Sequence, residues 1–68
     1  MFKQPYLEYK KTNISERGVI LVEVFSNQKT FFVIECLNNS PYTIEEEIQN
    51  WLDDNGYDNI KYEFIKIN

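Results

Sequence analysis

A chain of 68 residues with one cysteine and no histidine allows one domain at most, since domains rarely fall below about 50 residues. Eleven acidic against seven basic side chains, net −4, argue against wrapping a nucleic-acid backbone, which calls for a basic footprint. A lone thiol, Cys36, with no histidine excludes both an internal disulfide and a structural zinc site.

Other classes fall away on pattern. No uncharged apolar stretch is longer than Val19–Val22, far short of the roughly 18 residues that span a bilayer. The opening Met1-Phe2-Lys3-Gln4-Pro5 lacks the features of a secretory leader. A cytoplasmic protein without a membrane partner is expected, in keeping with one reduced cysteine. Hydrophobic residues at 43%, with five Phe, five Tyr and Trp51, describe a folded globule. Asn and Ile occur eight times each, and six of the seven basic residues are Lys. That bias accompanies A+T-rich coding and points to a bacterial or phage source. A chain this short leaves much of its surface wet, so dense aromatic packing or self-association must supply stability that disulfides or metal would otherwise give.

In chain order, Tyr6–Lys11 follows Pro5 as a strand, proline being tolerated at a strand start or on an edge. Asn13–Gly18 is a polar turn closed by glycine. Val19–Phe25 is rich in β-branched residues and reads as the second strand. Ser26-Asn27-Gln28-Lys29 is a tight turn in which Asn27 accepts a positive φ. Thr30–Leu37 is the third strand, antiparallel to the second. Asn38–Tyr42 breaks the sheet, and Thr43-Ile44-Glu45-Glu46 forms a capping box, with Ser40-Pro41 as a competing helix start. Ile44, Ile48, Trp51 and Leu52 then make one apolar helical stripe. Asn55-Gly56 ends the helix, and Ile60–Ile67 is the last strand. The whole chain, 1–68, is thus expected to be a single α+β domain: a small antiparallel sheet in β-β-β-α-β order with one amphipathic helix packed on one face.

Charged residues mark the outward face of each strand. Glu23, Glu35, Lys61 and Glu63 leave Ile20, Val22, Val24, Phe32, Ile34, Cys36, Ile60, Tyr62 and Phe64 toward the helix. The outward face is not simply polar. It also carries Val19, Leu21, Phe25, Phe31, Val33, Leu37, Ile65 and Ile67. One helix covers one face, so the second needs another cover. A homo-oligomer built on Leu21, Phe25, Phe31, Val33, Leu37, Ile65 and Ile67 would supply it, as would the N-terminal segment with Phe2, Tyr6, Leu7 and Tyr9.

Charge is also uneven along the chain. Residues 1–40 carry five basic and four acidic side chains, whereas residues 41–68 carry two basic and seven acidic. Glu45-Glu46-Glu47 complements the helix macrodipole at its N-terminus. Asp53, Asp54 and Asp58 crowd the C-terminus, where negative charge is disfavoured. A solvated face kept for solubility is one reading; an acidic surface presented to a basic partner is the other. Asp53–Asn59 imitates a calcium loop but fails on spacing: Trp51 falls on a required oxygen position, and Tyr62 stands where the closing glutamate belongs. No general base of the usual kind, phosphate loop or activated thiol is present in the sequence, so neither an enzyme nor a cofactor is expected.

The expected function is that of a non-enzymatic acidic protein-binding module, an inhibitor or modulator that blocks a basic surface of its target and makes no direct contact with nucleic acid. Its partner-binding residues would be Tyr42, Glu45, Glu46, Asp53, Asp54, Tyr57 and Asp58. The alternatives are an oligomeric binder that sequesters a small ligand between subunits, and a structural subunit of a larger assembly.

Overall fold

A computed structural model describes residues 4–67. Strands β1 (Tyr6–Ile14), β2 (Val19–Ser26) and β3 (Lys29–Leu37) are followed by helix α1 (Ile44–Asp54) and strand β4 (Glu63–Lys66). The α+β class and the β-β-β-α-β order are those expected from the sequence. The four strands form one sheet in the order β3-β2-β1-β4. It is mixed: β1–β2 and β2–β3 are antiparallel, but β4 lies parallel to β1. The helix is the cause, because a crossover through α1 carries the chain back over the sheet in the direction it left β3.

The β2–β3 turn is a two-residue loop with Asn27 at φ +53° and Gln28 at φ +68°, the geometry that matches the twist of a hairpin. The β1–β2 turn begins later than expected. An extra residue at Thr12 keeps the pairing going through Asn13–Leu21 and Ile14–Ile20. Ser15 then closes the turn, its hydroxyl oxygen accepting from the Arg17 and Val19 amides. Gly18 sits at φ +77°, a conformation that costs glycine little.

Alternation places Leu7 and Tyr9 of β1, Ile20, Val22 and Val24 of β2, and Phe32 and Cys36 of β3 on the helix side, where all are buried. Ile48 and Leu52 of α1 close this core with no exposed surface. From Tyr6 on the N-terminal segment is an inner strand of the sheet, with Leu7 and Tyr9 on the helix side, and does not fold over the outer face; Phe2 lies outside the described residues.

Three placements differ from expectation. The last strand starts at Glu63, because the Ile60 amide is spent on the Tyr57 carbonyl at 3.2 Å, closing a turn. Ile60 is accordingly 36% exposed and not part of the core, whereas Tyr62 and Phe64 pack against it. Phe31 leaves the outer face. Val24 pairs with Phe32 but Phe25 pairs with Thr30, so Phe31 is the extra residue of a β-bulge, which re-aims a side chain. Its ring turns to the edge of the helix layer.

Candidate functional site

The acidic segment is positioned by two caps. At the N-terminus, the Thr43 hydroxyl accepts from the Glu46 amide at 3.1 Å, and Glu46 Oε1 accepts from the Thr43 amide at 3.0 Å. The expected capping box is thus formed at Thr43, and Ser40 instead accepts from the Tyr42 amide at 3.1 Å. At the C-terminus, Gly56 at φ +86° lets the Tyr57 amide reach back to the Leu52 carbonyl at 2.9 Å, a Schellman closure. The last turn holds no basic residue.

The seven residues expected to bind a partner fall into two groups. Glu45, Glu46 and Tyr57 also have work inside the fold. Glu45 Oε2 accepts from the Tyr9 hydroxyl at 2.9 Å, and burial together with that carboxylate pushes the phenol up to about 12. Glu46 serves the cap. Tyr57 is half-buried in an aromatic cluster with Phe31, Phe32 and Trp51. Within the cluster Phe32 and Trp51 stack at 3.7 Å between centroids, and Phe31 stands edge-on to Trp51 at 5.8 Å and to Tyr57 at 5.3 Å. Tyr42, Asp53, Asp54 and Asp58 are exposed, as are Glu45 and Glu46, but unlike those two they make no side-chain hydrogen bond, among the described residues, that holds the helix to the sheet or closes its N-terminus. Of these, Asp53 accepts from the Gln49 side-chain amide at 2.9 Å, and Asp58 borders an open cleft of about 380 Å³ with Gln4, Gln49, Ile60, Lys61 and Tyr62.

The outer sheet face holds six of the seven residues assigned to an oligomer contact. Val33, Leu37 and Ile65 are 51%, 60% and 40% exposed; Leu21, Phe25 and Ile67 are half-buried. Lys10 extends its ammonium over the Phe25 ring at 5.5 Å, and the Thr30 hydroxyl donates to Glu23 on the same face. Register sets Leu21 beside Glu35, Val33 beside Glu23 and Ile65 beside Glu8, whereas Leu37 pairs with Val19. No described element covers this face. Cys36 is buried on the other face, where burial, with Glu47 nearby, raises its thiol pKa.

Two features of the site were not visible in the chain order. The Tyr9–Glu45 bond joins residues far apart in sequence. The Phe31 bulge has no signal of its own in the sequence, since the apolar run Phe31–Ile34 is matched by Val19–Val22, which pairs with β3 without a register shift. A second cleft, of about 350 Å³, adjoins the first across Gln4 and Tyr62. No described helix is long and apolar enough to cross a membrane. Comparison with family models, curated proteins and solved structures gives no match.

Proposed function

We propose that this chain is a non-enzymatic protein-binding module that meets a basic surface of its partner with the outward face and C-terminal end of α1. The observation that carries the reading is the exposure of Asp53, Asp54 and Asp58, the first two in a last helical turn that holds no basic residue. Acids at a helix C-terminus are each disfavoured by about 0.3–1 kcal/mol. A solubilising role would be served as well by charges placed elsewhere. Tyr42, 54% exposed, lies at the other end of the same helix and extends the surface. Glu45 and Tyr57 contribute less than their sequence positions suggest, since the fold already engages them. Blocking a basic surface is how so small an acidic chain would act as an inhibitor or modulator. A cytoplasmic setting in a bacterium or its phage agrees with the free thiol and the residue bias. Affinity capture with the wild-type chain and with the D53N/D54N/D58N variant tests the reading. A partner retained by the first and lost by the second supports it; equal retention overturns it.

A second reading rests on the outer sheet face, where Val33, Leu37 and Ile65 are exposed. That face would join copies of the chain, serving an oligomeric binder or an assembly subunit. The interspersed Glu8, Glu23 and Glu35 weigh against it, because a face brought against its own copy repeats like charges across the interface.

A further inference from the structure

We infer that the free edge of β3 is a docking site for an extended segment of the partner bearing Arg or Lys at alternate positions, added to the sheet as a fifth strand. The inference rests on the protein-binding reading above and names the chemistry of the partner. β3 ends the sheet on one side and is nine residues long, whereas the opposite end is the four-residue β4. A strand at a sheet edge presents unpaired amides and carbonyls along its outer side, a template for another strand. Short length and lysine guard the β4 edge; β3 has no proline, and its one lysine, Lys29, is at its start. The bulge at Phe31 leaves Phe32–Leu37 as the regular run, and Glu35 is its only charged residue.

What borders this edge specifies the guest. Successive helical residues turn by about 100°, so Glu47, Trp51 and Asp54 share one flank of α1, while Glu45 and Gln49 share the other. Contacts fix which flank is which: Trp51 stacks on Phe32 of β3, and Glu45 accepts from Tyr9 of β1. The inner side of the β3 edge is therefore walled by the rings of Phe31, Trp51 and Tyr57 and by the helix flank that carries Glu47, half-buried and accepting from the Ser40 hydroxyl at 3.4 Å, and the exposed Asp54. Alternate side chains of an added strand would point at that wall. Guanidinium and ammonium groups satisfy both parts of it, stacking on the rings and pairing with the acids. A second copy of β3 is the poorer occupant, because it would bring Glu47 and Asp54 of two helices toward one another.

The test uses the intact chain and a blocked peptide of alternating Arg and Thr, long enough to pair with Phe32–Leu37. Its analogue N-methylated at alternate residues keeps the charge but loses the strand-forming amides. Trp51 fluorescence and backbone amide shifts are the readouts, with circular dichroism confirming that each variant is folded. The expected result is saturable binding with shifts along Phe32–Leu37, weakened roughly tenfold or more by N-methylation and by E47Q/D54N, and little changed by D53N on the far flank. Equal binding of the N-methylated peptide would overturn strand docking and leave the charge-based function standing. So would the absence of any peptide binding while the captured partner still distinguishes wild type from D53N/D54N/D58N. A dimer in sedimentation with protected β3 amides would assign the edge to a second copy and overturn the proposal.

Discussion

The Tyr9 hydroxyl donates to Glu45 Oε2 at 2.9 Å, tying the inner strand of the sheet to the first turn of the helix across the edge of the core. Tyr9 is 6% exposed, so its phenol cannot exchange this partner freely for water. Replacing it with Phe is expected to cost about 0.5–1.5 kcal/mol, the net value of one hydrogen bond. Chemical denaturation measures this directly.

The same contact gives a pH signature. The Tyr9 phenol is raised from 10 to about 12 in the fold, first by burial and then by its bond to Glu45 and that residue's negative charge. Folding favours the protonated form. The associated stability is complete below pH 10 and is lost as pH rises from 10 toward 12. Tyrosinate absorbance should show a step displaced toward pH 12, and Y9F should remove that step together with part of the alkaline loss of stability.

The helix is expected to be the most sensitive element to truncation. Ile48 and Leu52 have no exposed surface and lie against the sheet. Ile48→Ala and Leu52→Ala should each destabilise by about 2–5 kcal/mol, a large share of what a small domain possesses. Urea unfolding of either variant with a loss below 1 kcal/mol would contradict the packing described, a limit set well under that range.

Much of this was legible in the chain because local chemistry decides it. Asn27, Gly18, Thr43 with Glu46, and Gly56 each mark a turn or a cap by a requirement of the backbone, and each is found there. The inward set Ile20, Val22, Val24, Phe32 and Cys36 follows from period-two alternation. What was not legible depends on non-local partners. Nothing near Glu63 says that it will pair beside Tyr6, so the parallel β1–β4 contact emerges only once the helix crossover is in place. Phe31 misled the face assignment because a bulge breaks alternation by one residue. For the site, exposure of the acids could be read from the helical period, but the use of Glu45 by Tyr9 and of Tyr57 by the aromatic cluster could not. Those contacts depend on how α1 is laid across the sheet.

The outer sheet face is tested by size. If Val33, Leu37 and Ile65 join copies, light scattering at micromolar concentration should report a dimer or larger, and Val33→Asp should return it to monomer. A wild-type monomer would remove the second reading and leave the acidic helix and the β3 edge as the surfaces that meet partners.

The acids at the helix end offer the most direct trial of the proposed function. Relieved of charge that the helix dipole opposes, D53N/D54N/D58N should melt at the wild-type temperature or slightly above it. Association rates of the captured partner are then compared for wild type and variant at low and high ionic strength. The expected result is slower association for the variant and a wild-type rate that falls as salt rises. Equal rates for the two chains at both ionic strengths would contradict a function built on the acidic face of α1.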